Sequence, residues 1–328
     1  MDSRIAELIE QCKADCLAGV AQSRETIIEL LEVDPQSAEA QALRDAANEL
    51  SHEISAGQGF MWGAIGLDFK PCGLDCAFCS FGTKWGIITE ERVLTDEEVI
   101  AHATTFAKNN VDFITLRSTE FYSLDTIARQ VKLIRDNVPG DYKIIVNVGE
   151  MDVERATQLH EAGVWAAYHV VRLREGTDTP FDPQVRINTV RSIAASPLEL
   201  ASCLEPIGTE HTNEELADHI LIIAENRALI SGVMARIPVP GTPLGDIELI
   251  GKERLSQVLA VMRLCTSRET AIMAYCPAED IGFASGANMT SFELGANPRD
   301  TKFNEENWRC FTIDRARDAL HAQGYAHD

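Results

Sequence analysis

The spacing of apolar and polar residues changes near residue 57. Before it, Ile5, Leu8 and Ile9, followed by Cys12 and Cys16, recur at helical spacing. The pattern resumes from Thr26 to Leu31, and Asp34-Pro35 breaks it. Ser37 to Ile54, rich in Ala, Glu and Leu, predicts a further helix. From Phe60 onward, short apolar runs alternate with amphipathic stretches. The runs are Met61 to Phe69, Asp112 to Leu116, Tyr142 to Val148, Val164 to Val171, Leu198 to Leu204, Leu229 to Ile237 and Thr270 to Tyr275. An eighth, Phe283 to Thr290, is weakly apolar and contains glycine. Helices are expected from about Thr95 to Asn109, Leu124 to Arg135, Val153 to Glu161, Pro183 to Ala195, after Thr212, Glu253 to Leu264, and Asn304 to His321. Thr95-Asp96-Glu97-Glu98 and Thr212-Asn213-Glu214-Glu215 are capping boxes that start two of them. Strands alternating with helices imply parallel βαβ units. The expected fold is therefore α/β, a (β/α)8 TIM-type barrel over residues 57–328, with an N-terminal helical extension over 1–56 against its outside or end. Such a barrel carries its chemistry on the loops after the strands.

Composition narrows this picture without changing it. With 328 residues, 45% of them apolar, the chain can build one large barrel or two ordinary domains. No linker rich in Pro, Gly or Ser divides it. No apolar run reaches membrane-spanning length, and Met1-Asp2-Ser3-Arg4 does not begin a signal peptide. A soluble cytoplasmic protein, without a membrane partner, is expected. The net charge of −22 repels phosphate backbones, which argues against nucleic acid as a partner. Nine scattered cysteines, an odd number, argue against a disulfide framework.

Three of those cysteines fall on one loop after the first expected strand, Cys72-Gly73-Leu74-Asp75-Cys76-Ala77-Phe78-Cys79. Their spacing is C-x3-C-x2-C, with Phe78 just before the third. Three thiolates on a tight loop can hold three irons of a [4Fe-4S] cubane and leave the fourth iron open, unlike a four-cysteine electron-transfer site or a closed structural zinc site. An open iron can chelate the amino and carboxylate groups of S-adenosyl-L-methionine (SAM), whose reductive cleavage releases a 5'-deoxyadenosyl radical. The competing reading is three structural cysteines, or a zinc knuckle lacking a ligand.

The loop resembles that of the radical SAM superfamily, C-x3-C-x-(aromatic)-C, at Cys72, Cys76, Phe78 and Cys79. Pro240-Gly241-Thr242-Pro243-Leu244 and Ser285-Gly286-Ala287-Asn288 are similar to turns of one subgroup, comprising biotin synthase, methylornithine synthase and the maturase of iron-only hydrogenase. The resemblance covers about residues 60–325. It implies a complete barrel enclosing a small-molecule or protein-bound acyl substrate, and an electron donor such as flavodoxin or ferredoxin. It also implies that Thr119 and Glu120 in Arg117-Ser118-Thr119-Glu120 hold the SAM amino group, although Thr119 departs from the usual glycine.

Asn147 and Tyr168-His169 are polar positions at strand ends, followed by Arg172. His169 is read either as a satisfied core residue or as a site residue. Arg186 is read either as a surface charge or as a bidentate clamp on the SAM carboxylate. Biotin synthase holds a second cluster inside its barrel with strand cysteines. The second and third strands here contain none, so that activity is not expected. Cys203 lies on the fifth strand, and one thiol alone does not hold a cluster. Cys12 and Cys16 share a helical face and, with Cys276 or Cys310, are candidates for an auxiliary cluster that serves as a sulfur source, in the manner of lipoyl synthase. The bland alternative is that they are small buried residues. Three functions stand open. One is hydrogen abstraction with or without sulfur insertion, and another is skeletal rearrangement or cofactor maturation. The third is a non-catalytic iron–sulfur protein.

Overall fold

Eight parallel strands close into a barrel in the computed structural model, which describes residues 3–304 and 311–327. They are β1 (Phe60–Gly66), β2 (Phe113–Arg117), β3 (Lys143–Asn147), β4 (Ala166–Tyr168), β5 in two pieces (Glu199–Ala201 and Leu204–Ile207), β6 (Ile230–Ala235), β7 (Ile272–Cys276) and β8 (Met289–Gly295). The pairing runs around the barrel in that order, and β8 returns to β1 with Phe60 opposite Met289 and Gly66 opposite Gly295. Helices α1 (Ser3–Ala18), α2 (Arg24–Leu31) and α3 (Ala38–Ser55) precede the barrel. Helices α4 (Asp96–Lys108), α5 (Leu124–Asn137), α6 (Val153–Glu161), α7 (Pro183–Ala194), α8 (Asn213–Glu225), α9 (Lys252–Cys265), α10 (Asp280–Phe283) and α11 (Ile313–Ala322) surround it.

Local chemistry sets the helix starts. Both expected capping boxes form, at Thr95/Glu98 and Thr212/Glu215, and satisfy backbone donors that have no partner within the helix. In α5, Ile127, Val131 and Ile134 bury one face at helical spacing, while Asp125, Arg129 and Lys132 remain outside. Helix α9 is buried along its whole length from Leu255 to Cys265, because α3 covers the side turned away from the strands. Ser51 on α3 donates to the Gly286 carbonyl at 2.6 Å and Asn48 to that of Phe283 at 3.0 Å. The N-terminal helices thus share one apolar core with the barrel helices.

Three expected elements move. The first apolar run continues to Phe69, but β1 ends at Gly66. Asp68–Phe69 instead pairs with Arg92–Val93 in a two-stranded antiparallel ribbon. The eighth strand runs over Met289–Gly295, not Phe283 to Thr290. Ser285 to Asn288 is the turn before it, and Asn288 pins that turn by accepting from Met273 N–H at 2.7 Å and donating to Ala271 O at 3.1 Å. Met289, Ser291 and Glu293 face inward, and Phe292 and Leu294 outward, so polar residues occupy what is usually an apolar side. The last helix begins at Ile313, capped by Thr312. Part of the longer helix expected from Asn304 lies outside the described residues.

The lower barrel is filled. Phe60, Phe113 and Trp165 stack, and Trp62 meets Phe113 and Tyr168 edge-on. The β1–β8 seam closes tightly, since a Cβ on Gly66 would lie 1.8 Å from the Ala296 carbonyl oxygen, which is backbone and cannot yield cheaply. Gly66→Ala should therefore cost about 1–3 kcal/mol or more of stability. Urea unfolding followed by far-UV circular dichroism checks this, and an unchanged midpoint would contradict the seam geometry.

Candidate active site

Above the aromatic floor, a cavity of about 270 Å³ lies at the C-terminal ends of the strands. The loop from Lys70 to Gly82 covers one side of it. Backbone bonds fold that loop tightly: Cys72 N–H to Phe81 O at 2.6 Å, Thr83 N–H to Cys72 O at 3.1 Å, and Cys79 N–H to Cys76 O at 3.0 Å. Asp75 takes the left-handed region (φ 48°), and its carboxylate accepts from Lys84 N–H at 2.9 Å. Neighbouring loops hold it from outside. Ala77 N–H donates to Asp178 O at 2.8 Å, Leu244 N–H to Ala77 O at 3.0 Å, and Ser80 N–H to Pro298 O at 2.8 Å.

The result brings Cys72, Cys76, Phe78 and Cys79 to the cavity wall. The cysteines are free thiols. Phe81 N–H points at Cys79 Sγ from 3.4 Å, a donor suited to a thiolate ligand. Burial raises all three thiols, Cys76 to about 11 and Cys79 to about 12. Ligation must displace their protons, so metal loading is favoured by higher pH.

The opposite wall is a charged network. Glu120 follows β2, Glu150 follows β3, and His169 and Glu175 follow β4. Arg186, on the first turns of α7, joins them. Its guanidinium lies 3.3 Å from Glu120 Oε2, 2.6 Å from Glu150 Oε1, 3.8 Å from Glu175 Oε2 and 3.3 Å from His169 Nε2, and stacks on Phe181 at 3.6 Å. Thr189 donates to Glu150 and Thr179 to Glu175. Burial lowers the His169 pKa, so the ring is neutral near pH 7 and its 3.3 Å contact with Glu150 is a hydrogen bond. Burial alone would raise Glu150, but the His169 hydrogen bond and the Arg186 charge outweigh it and hold the carboxylate well below its ordinary range. Asp68, buried under the loop after β2, accepts from Thr119 N–H at 2.8 Å and from its hydroxyl at 2.5 Å. Gly149 makes room for that loop, since a Cβ there would sit 2.5 Å from Glu120 O.

Every expected residue of the cysteine loop and of the SAM set reaches this one cavity. Thr119, Glu120, Asn147, His169 and Arg186 line it, and so does Cys276 at the end of β7. Arg186 is neither a surface charge nor free. It is 2% exposed and committed to carboxylates of the chain. Arg172 Nη1 and Arg186 Nε are buried without hydrogen-bond partners among the described residues. Three thiols with no fourth on their loop, in a cavity that Arg172 and Arg186 also line, fit an open-iron cubane and a carboxylate-bearing ligand.

Sequence reasoning missed the lower cavity. Tyr168 donates to Glu205 at 2.5 Å beside Cys203, and Arg117 and Arg299 both pair with Glu293 at 2.6 Å. Glu205 and Glu293 interrupt apolar runs, which was the available signal.

The auxiliary site expected from Cys12 and Cys16 does not come together with Cys276. Cys12 and Cys16 are buried outside the barrel wall, between α1 and α9. Cys16 donates to Arg263 O at 3.8 Å, and the neighbour of Cys12 is Cys265. Cys276 lies on the inner side of the wall. Their helical spacing places Cys12 and Cys16 on the apolar face of α1, so they pack as small residues. Cys310 lies outside the described residues.

Glu150→Gln should destabilise the protein by about 1–3 kcal/mol at neutral pH, since it removes a buried, hydrogen-bonded carboxylate. A depressed carboxylate contributes stability above its unfolded pKa of about 4.3, and that contribution is lost as pH falls toward the folded value. The gap in thermal midpoint between wild type and variant should therefore narrow between about pH 6 and pH 3. A gap that widens with acid would contradict the ionised, paired Glu150.

No protein-family model matches the chain. Curated biotin synthases do. That of Persephonella marina is 23% identical over 227 residues, covering 62% of this chain and 65% of its own length. That of Maridesulfovibrio salexigens is 24% identical over 213 residues, covering 62% and 64%. The chain therefore spans just under two thirds of these relatives. Among solved structures, HydG, a maturase of the [FeFe]-hydrogenase, superposes with a TM-score of 0.81 at 15% identity, covering 99% of this chain and 76% of that one. Methylornithine synthase (PylB) superposes with a TM-score of 0.80 at 16% identity, covering 97% of both. The solved structures carry the fold, and the biotin synthases carry a sequence likeness through the barrel. In sequence the chain is similar to biotin synthases, and its fold is that of HydG and methylornithine synthase.

Proposed function

We propose that this chain is a SAM-cleaving enzyme that abstracts hydrogen from a small molecule enclosed in its barrel. The observation that carries the reading is the one cavity shared by Cys72, Cys76 and Cys79, the Glu120–Arg186 wall and the polar side chains of Glu205, Glu293 and Arg299 above the aromatic floor. Cys72, Cys76 and Cys79 would hold a [4Fe-4S] cluster, with SAM against its open iron. When bound, that pair supplies a 5'-deoxyadenosyl radical by one-electron cleavage of the sulfonium. Glu120 would accept from the methionine ammonium, and Arg172 with Arg186 would face its carboxylate. Asp68 fixes Thr119, so the loop after β2 keeps its shape without the usual glycine. Phe78 and Phe81 help to keep water from the sulfur ligands. The aromatic floor closes the cavity below, so a small molecule bound there is held beside the reacting carbon and away from solvent.

One cluster suffices for this reading. Cys12 and Cys16 lie outside the barrel, which favours hydrogen abstraction followed by rearrangement or cleavage over sulfur insertion. A second reading rests on Cys203 and Cys276, both inside the cavity, as part of a sulfur-donating site. Iron analysis after anaerobic reconstitution separates the two. About four irons per chain supports one cubane, and about eight supports two.

Reduction of the reconstituted protein with SAM should release 5'-deoxyadenosine, and Cys72→Ala, Cys76→Ala or Cys79→Ala should each abolish it. Product formation by any of the three would sink the assignment and favour a non-catalytic reading of the loop. Glu120→Gln should keep the cluster and weaken SAM binding by about 1.5–3 kcal/mol, roughly 10- to 150-fold, as a lost charge-assisted hydrogen bond. Equilibrium binding of SAM measures this, and unchanged affinity would remove Glu120 from the site.

A further inference from the structure

Behind the cysteine loop, the loops after β4 and β5 bring Asp178, Glu210 and His211 together. One carboxylate oxygen of each acid and one ring nitrogen of His211 all lie within 4.8 Å of one another. The His211 side chain is only 2% exposed, and its Nε2 has no hydrogen-bond partner among the described residues. That nitrogen faces Glu210 Oε1 from 3.9 Å, too far for a hydrogen bond. An imidazole nitrogen buried and unsatisfied between two carboxylates calls for an occupant.

The surroundings suit a cation. Arg236 binds Glu210 through Nη2 at 2.8 Å and Nε at 3.3 Å, and Arg174 binds Glu215 at 2.8 Å. Three carboxylates therefore outnumber two guanidiniums. His211 Nδ1 lies 3.3 Å from the Gly208 carbonyl oxygen and can donate to it, the usual support for an imidazole that ligates through Nε2. Gly208 N–H also points at Nδ1, from 2.9 Å, so binding must move the ring proton from Nε2 to Nδ1. An ion equidistant from three atoms no more than 4.8 Å apart sits at most about 2.8 Å from each, and bonds of about 2.0–2.2 Å need only a modest closing of the loops.

We propose that Asp178, Glu210 and His211 form a site for a divalent first-row transition cation, which the mixed nitrogen and oxygen donors favour over magnesium or calcium. None of the three lines the cavity, so the ion is structural. It clamps the loops around Ala77, between the second and third cysteines. The Asp178 backbone carbonyl accepts from Ala77 N–H at 2.8 Å, Leu244 N–H donates to Ala77 O at 3.0 Å, and Arg236 Nη1 holds Leu244 O at 3.0 Å. The ion would thus link the loops after β4, β5 and β6 to the backbone that carries Cys76 and Cys79.

Manganese(II) is the probe. Full-length protein, reconstituted anaerobically and desalted, is titrated with Mn²⁺ in excess Mg²⁺, which fills weak surface carboxylates. Loss of the six-line electron paramagnetic resonance signal of free Mn²⁺ reports binding. One tightly bound Mn²⁺ per chain is expected, together with a higher thermal midpoint. His211→Gln and Asp178→Asn should each weaken binding at least about tenfold and remove the thermal shift. Absent uptake, or equal uptake by a folded variant, overturns the proposal; should one variant fail to fold, the other decides. The outcome is independent of SAM cleavage: retained Mn²⁺ uptake without 5'-deoxyadenosine would count against the enzyme reading alone.

Discussion

A buried guanidinium holds the upper end of this barrel together. Arg186 sits among Glu120, Glu150 and Glu175, which the loops after three successive strands bring to one place, and Arg172 faces Glu175 as well. Without it, Glu120 and Glu150 would lose their cation on a desolvated wall, and breaking such a buried pairing costs about 3–5 kcal/mol. The network is also what gives the wall its chemistry. It leaves Arg172 Nη1 and Arg186 Nε buried without hydrogen-bond partners among the described residues, 3.9 and 3.8 Å from Glu175 Oε2.

The parallel barrel supplies the rest by its polarity. All eight strands end on the same side, so the loop with Cys72, Cys76 and Cys79 and the loops with Glu120, Glu150 and Glu175 converge without long insertions. The interior is divided along its axis. Phe60, Trp62, Phe113 and Trp165 fill the lower end. Above them, Arg117 and Arg299 pair with Glu293, and Tyr168 with Glu205, inside the space that continues to the cysteines. Those buried pairs are costly places to keep charge, and in the proposed function they are what the substrate would meet.

Much of this was legible in the residues. Strand and helix alternation gave the barrel, because β1 to β7 are apolar runs between capped helices and period alone separates them. The cysteine loop was legible because its spacing is itself the chemistry. Strand β8 was misplaced, since Ser291 and Glu293 turn into a polar cavity and invert the usual pattern. Glu150 and Glu175 went unnoticed because their meaning depends on Arg186, more than ten residues away along the chain, and a salt-bridge network has no linear signature. Cys12 and Cys16 misled for the complementary reason. Four-residue spacing defines a helical face, but only packing decides whether that face meets a cavity or, as here, Arg263 and Cys265 on α9.

The central claim is that three thiolates on one loop leave a single iron open toward a SAM site walled by Glu120 and Arg186. Low-temperature electron paramagnetic resonance of the reduced, reconstituted protein, recorded with and without SAM, tests it most directly. The account predicts the signal of one reduced cubane per chain, and a clear shift of that signal when SAM binds the open iron. A spectrum that SAM leaves unchanged, or loading with zinc in place of a cubane, would contradict it.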